Sequence, residues 1–272
     1  MNTNTIIQEI IKNEHIITSV HLGRSVEFDI YLPGNLLGNE ELNLLLLNDG
    51  QDAEKLQLQQ TLAELYYKDK TAAIVVVAIK CSEDRVEEYG VANEPDFLGR
   101  GSKAAAYTDF ITEELLPLLH DLVEFPINGK RAFAGFSLGG LSAFDIAWKN
   151  SQIFDVAGVF SGSFWWRRKD LKDGYLEADR IMHQVIQSTT EKPDVKFWLM
   201  TGTEDEKADR NHNYIIDSID DTIDIIKELL NKGYKRPEDI FYYEMVGGKH
   251  NPQTWSKALP AFLIWAFPAK RV

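Results

Sequence analysis

Short apolar runs of strand length recur along this chain with helical patterns between them, and that rhythm limits the fold more than any other feature. The runs fall at 42–48, 72–79, 131–136, 155–161, 195–202 and 240–246. A strand covered on both faces reads as such a run, because neither face meets water. Helical patterns fill 54–68, 107–122, 141–149, 176–188, 218–233 and 254–267. The alternation predicts an α/β fold with a mostly parallel central sheet and helices on both faces. Two earlier segments, "HIITSVHL" and "RSVEFDIYLP", read as hairpin-like strands ended by Pro33-Gly34. They predict an antiparallel N-terminal edge. Pro117 is expected to kink its helix and Gly233 to cap the end of another.

The bulk numbers narrow the class. The chain has 272 residues, 44% of them hydrophobic, with no linker, internal repeat or low-complexity tract. One domain over 1–272 is expected. A formal net charge of −13 repels phosphate backbones and anionic bilayers, so neither nucleic acid nor a membrane is expected as partner. No run approaches the ~18–20 apolar residues that span a bilayer. The opening residues lack a basic start followed by an apolar stretch. These features predict a soluble, cytoplasmic protein. Cys81 is the single cysteine, which excludes an intramolecular disulfide, and no Cys/His spacing predicts zinc. No metal or cofactor is expected, and the oligomeric state is left open.

Chemistry enters at Gly135-Phe136-Ser137-Leu138-Gly139, where a strand run meets a helical pattern. A G-x-S-x-G pentapeptide arises by chance roughly once in ten chains of this length, so its setting matters. The strand-to-helix context is that of a nucleophile elbow. Such a turn projects the serine from the sheet edge, and the flanking positions must be tiny. The Leu138 N–H then lies at a helix N-terminus, where the dipole favours a developing oxyanion. Small residues at Gly139, Gly140, Ser142 and Ala143 let that helix press on the sheet.

A serine needs a base. Of the six histidines, His250 alone stands in a loop after a strand run, in "MVGGKHNPQTW". It is the candidate base. The base needs a carboxylate to fix its tautomer, in the order Ser, acid, His. Between Ser137 and His250, the run "WLMTGTEDEKADRN" offers Glu204, Asp205, Glu206 and Asp209, and spacing does not choose among them.

Together these segments resemble the "Putative esterase" family of α/β-hydrolases, which includes esterase D, enterochelin-type siderophore esterases, feruloyl and acetyl xylan esterases and mycolyltransferases. The resemblance runs through "SVEFDIYLP", "LNLLLLNDGQD", "DFITEELLPLL", "GFSLGGLSAF", "GVFSGSFWW" and "GGKHNPQTWSKALPAFLIW". It implies the α/β-hydrolase fold and a serine carboxylic ester hydrolase acting on a small-molecule ester through an acyl-enzyme. It implies Ser137 as nucleophile and His250 as base. The family's Gly-Thr-x-Asp stretch falls on Gly202-Thr203-Glu204-Asp205 and singles out Asp205. The second oxyanion donor is expected at the Gln51 N–H, in "NDGQDAEK". Trp165, Trp166 and Arg167 are the candidate substrate contacts, the tryptophans for an aromatic acyl group and the arginine for a carboxylate or catecholate. Arg85 and Tyr89 are structural candidates near the site. Two other classes stay open: an acyltransferase with the same triad, and a non-catalytic binding module that keeps the fold.

Overall fold

The computed structural model describes residues 9–36 and 41–269. Residues 1–8, where a leader would begin, lie outside the described residues.

The strands are β1 (Ile10–Ser19), β2 (Arg24–Pro33), β3 (Asn43–Leu47), β4 (Ile74–Ile79), β5 (Arg131–Phe136), β6 (Val156–Phe160), β7 (Lys196–Glu204) and β8 (Ile240–Lys249). All eight join one sheet in the order β1-β2-β4-β3-β5-β6-β7-β8. β1 pairs with β2 and β2 with β4 antiparallel, and every other pairing is parallel. The expected antiparallel edge and parallel centre are both present.

The helices are α1 (Leu58–Tyr67), α2 (Arg85–Glu88), α3 (Ala104–Asp109), α4 (Leu116–Leu122), α5 (Leu138–Lys149), α6 (Ile181–Ser188), α7 (Asp217–Asn231) and α8 (Pro252–Ala266). Alternate strand residues face opposite layers. Leu45 and Leu47 pack with Leu62 of α1 and Phe262 of α8. Leu44 and Leu46 lie in the core that holds Phe144 of α5, Ile186 of α6 and Ile225 of α7. Each such buried side chain contributes about 1.5–3 kcal/mol. Among the described residues no helix is long and apolar enough to cross a membrane.

Several boundaries differ from the sequence pattern for local reasons. α1 starts at Leu58 rather than 54, because Gln57 stands at φ 54°, in the left-handed region. Pro117 has no N–H to return to the Glu113 carbonyl, and the chain answers with a π-turn at Phe110–Leu115 between α3 and α4. β8 runs on past 246 to Lys249, with Gly247 at φ 71° inside it. Gly233, at φ 95°, follows α7 as the expected cap. Strands β3 to β8 run parallel, so their carboxyl ends share one edge of the sheet. The loops after β3, β4, β5, β6, β7 and β8 open there.

Candidate active site

Ser137 sits between β5 and α5 at φ 55°, ψ −122°, a conformation that non-glycine residues rarely adopt. The turn is possible because the glycines remove obstacles. A Cβ on Gly135 would lie 2.3 Å from the Gly139 carbonyl oxygen, and one on Gly139 2.6 Å from Asp49 Oδ2. Thus Gly135 crowds against Gly139, and Gly139 against the loop after β3. Gly140 lets α5 approach the sheet: its Cβ would meet the Gly135 oxygen at 2.9 Å and Val159 at 3.0 Å. Leu138 opens α5, so its N–H has no partner one turn back within the helix.

The loop after β3 is tied to the elbow. Asn48 Nδ2 donates to the Gly139 carbonyl at 2.8 Å, and Tyr107 donates its hydroxyl to Asn48 Oδ1 at 2.6 Å. Asp49, at φ 61°, accepts two bonds from Arg85, at 2.6 Å on Oδ1 and 2.8 Å on Oδ2. Tyr89 lies under the Arg85 guanidinium, 5.2 Å from ring centre to carbon. Arg85 and Tyr89 therefore act as scaffold for this loop. Gln51 turns its side chain away: its Oε1 accepts from the Cys81 N–H and its Nε2 donates to Asp49. That side chain lines a groove of about 940 Å³ shared with Lys12, Asp29 and Tyr31, separate from the serine's cleft.

The cleft at Ser137 has a volume of about 320 Å³ and is lined by Ser161, Ser163, Trp165, Asp205, Glu206, Ser218 and His250 besides the serine. His250 follows β8, where Gly202 and Gly248 allow close approach of β7 and β8: a Cβ on Gly202 would lie 2.4 Å from the Gly248 oxygen. Asn251 caps α8 by accepting from the Thr254 N–H at 2.9 Å. The His250 ring meets Trp255 edge-on, centroids 5.2 Å apart. Trp255 in turn donates to the Ser161 hydroxyl at 3.0 Å. Although His250 reaches the surface, the cleft walls strip part of its hydration and lower its pKa. The charge of Asp205 raises it and that of Arg85 lowers it, and the net direction is down.

The structure separates the four acids. Glu204 is exposed, 3.8 Å from Lys249. Asp209 accepts from the N–H groups of Asn213 and Tyr214. Glu206 lines the cleft without a close tie to the imidazole. Asp205 is buried and coupled to His250 by charge. Its Oδ2 accepts from the Gly202 N–H at 3.0 Å, while its buried Oδ1 takes no hydrogen bond. Burial raises its pKa, against the Gly202 N–H, the nearby Ser161 hydroxyl and the His250 charge, which favour the ionised form. Ser137, His250 and Asp205 make no mutual hydrogen bond among the described contacts. In sites of this kind such bonds are commonly long until substrate binds.

The aromatic cluster divides. Trp165 lines the cleft. Trp166 does not, which corrects the expectation of a substrate contact there. It is fully buried, donates Nε1–H to the Glu94 carbonyl at 3.1 Å, and fills the space over Gly90 and Gly101. Arg167 is also outside the cleft lining. Its guanidinium lies over Phe97 at 5.0 Å, Tyr175 at 5.8 Å and Trp165 at 5.9 Å, and its Nε donates to the Lys169 carbonyl. It packs the segment that carries Trp165. Sequence reasoning missed Ser163, whose hydroxyl is 3.4 Å from that of Ser137 and whose N–H bonds to the Ser137 carbonyl. The "SGS" at the carboxyl end of β6 was the available signal. It also missed Ser218, which reaches the cleft from the start of α7.

A sheet of this order with a strained serine at the β5–α5 turn is of the α/β-hydrolase type. Residues 19–266 match the "Putative esterase" family, and the chain belongs to it. Solved structures agree on the fold. The enterobactin esterase FES from Shigella flexneri, in the presence of 2,3-di-hydroxy-N-benzoyl-glycine, superposes with a TM-score of 0.73 at 20% identity, covering 96% of this chain and 61% of that one. A ferulic acid esterase gives 0.70 at 17% identity, covering 96% and 98%. The siderophore hydrolase EstB from Aspergillus nidulans gives 0.68 at 16% identity, covering 95% and 96%. The chain thus spans about three fifths of the enterobactin esterase's length. Among curated protein sequences none matches the chain.

Proposed function

We propose that the protein hydrolyses a small-molecule carboxylic ester through a Ser137–His250–Asp205 triad and an acyl-enzyme. One observation carries this reading: a strained Ser137 shares a cleft with His250 and with a buried Asp205 whose Oδ1 has no partner. That oxygen accepts an N–H from the imidazole, leaving the other ring nitrogen to take the Ser137 proton. The serine oxygen attacks the ester carbonyl. The N–H groups of Leu138 and Gln51 receive the oxyanion. His250 returns the proton to the leaving alcohol, then activates the water that releases the acid. Protein groups alone supply this chemistry.

Trp165 offers the acyl group an aromatic wall. The likeness to enterobactin and ferulic acid esterases favours an acyl group with an aromatic ring. The charge of −13 argues against a nucleic-acid partner, and a single cysteine is consistent with a reducing, cytoplasmic setting.

The test is hydrolysis of p-nitrophenyl acetate and butyrate by the wild type and by Ser137→Ala. The wild type is expected to turn over both esters, and the variant to lose at least about a thousandfold in kcat/KM. A fluorophosphonate should label the wild type and not the variant. Equal rates in the two proteins would remove Ser137 as nucleophile.

A further inference from the structure

The triad leaves one wall of the cleft without a task. Glu206 follows the catalytic acid and is half-buried, and Ser218 stands in the first turn of α7. Both line the cleft that holds Ser137. Ser218 is only 8% exposed, and its hydroxyl oxygen has no hydrogen-bond partner. A buried hydroxyl left unpaired is costly, so it marks a place where a ligand group can enter at a gain.

The charge of this wall has one sign. Among the described residues the cleft is lined by two carboxyl groups, Asp205 and Glu206, and by no lysine or arginine. Burial first, then the charges of Asp217, Asp221 and Asp205, raises the pKa of Glu206, while the Ser218 N–H favours its ionised form. The nearby arginines are already engaged. Arg180 bonds to Asp221 at 2.6 Å and Asp224 at 2.7 Å, and Arg210 bonds to Asp221 at 3.1 Å and Glu177 at 3.1 Å. A substrate carboxylate would meet repulsion here.

Building on the esterase reading of this cleft, we propose that Glu206 and Ser218 form a subsite for a protonated amino group carried by the ester substrate. An ammonium has three donors and no acceptor. Glu206 supplies a charged acceptor and the buried Ser218 Oγ a neutral one. The subsite selects esters by the head group they carry; it takes no part in the bond-breaking steps.

Two ester series test this. The first is p-nitrophenyl benzoates with an aminomethyl, hydroxymethyl, ethyl or carboxymethyl group at the para position. The second is phenyl butyrates with the same four groups on the leaving phenol. In one series the aminomethyl ester should exceed the ethyl ester in kcat/KM by at least about tenfold, the scale of one charge-assisted hydrogen bond, with the carboxymethyl ester slowest. Glu206→Gln keeps the shape and removes the charge. It should bring the aminomethyl-to-ethyl ratio towards one and relieve the penalty on the carboxymethyl ester. Ser218→Ala should lower the same ratio, and it serves if the first variant folds poorly. A wild-type ratio near one in both series overturns the subsite. So does a ratio that both variants leave intact, or a hydroxymethyl ester preferred over the aminomethyl one. In each of these cases hydrolysis of the ethyl esters leaves the esterase reading standing. If no ester in either series is hydrolysed, both readings fall.

Discussion

His250 decides how the proposed chemistry responds to pH. A general base works as neutral imidazole. Partial loss of hydration and the Arg85 charge lower its pKa below the ordinary 6.5, and the Asp205 charge alone opposes them. The acid limb of kcat/KM is therefore expected below pH 6.5, and the base stays active into mildly acidic solution. Asp205→Asn removes the one influence that favours the imidazolium. The limb should move further towards acid while the rate falls by about 10⁴. A pH–rate profile on p-nitrophenyl butyrate checks both; a limb that stays put or moves upward would show that Asp205 does not act on His250. Ser137 and His250 were legible in the sequence because few strand-end positions carry such residues beside glycines. Asp205 was one of four neighbouring acids, and what separates it is burial and an idle oxygen, neither of which spacing encodes. Trp165 and Trp166 make the same point: adjacent residues, one on the cleft wall and one wholly in the core.

Helices α6 and α7 are joined by a histidine that the site does not use. His183 is buried in α6 with Nε2 3.2 Å from the Asp221 carbonyl, so the ring is neutral and donates from Nε2. Burial first, then the Arg180 charge, pushes its pKa down from 6.5 to about 3. The unfolded chain takes up this proton near pH 6.5 and the folded chain does not until about pH 3. Between those values the unfolded state binds more protons, so stability falls as pH falls, by about 1.4 kcal/mol per unit for one such group. His183→Gln keeps a donor without the titration. Its urea midpoint should decline less than the wild type's between pH 6.5 and 4, and parallel declines would sink the assignment. Asp221, Asp145 and Glu206, whose pKa values are raised, bend both curves the other way and are common to the two proteins. None of this was readable in the pattern 176–188, which predicted a longer helix. The described helix begins at Ile181 because a 3-10 turn at Glu177–Asp179 and an extended Arg180 precede it.

Across the whole molecule, the sheet has a well-covered centre and a poorly covered edge. β3 to β6 are buried along nearly all their length, and that is why their apolar runs announced them. β1 alternates less cleanly, is exposed over much of its length, and pairs with β2 alone. The hairpin segment read from the sequence began at 15, whereas β1 spans Ile10–Ser19. An edge strand with one wet side leaves a weaker signature. The same asymmetry should govern opening. β2 joins β4 through only four paired positions, Phe28 to Tyr31 against Ile79 to Val76. Local opening of the edge exposes little apolar surface, whereas opening of β5 exposes the core on both faces. Amide hydrogen exchange is expected to be fast for those β1 amides that bond to β2 and to approach the global limit in β5 and β6. β5, β7 and β8 hold the loops of Ser137, Asp205 and His250 at their carboxyl ends, and none of the three pairs with the hairpin, so the cleft should outlast its fraying. Exchange in β1 as slow as in β5 would mean that the edge opens only with the whole sheet, and that the hairpin shares fully in the cooperative unit that carries the site.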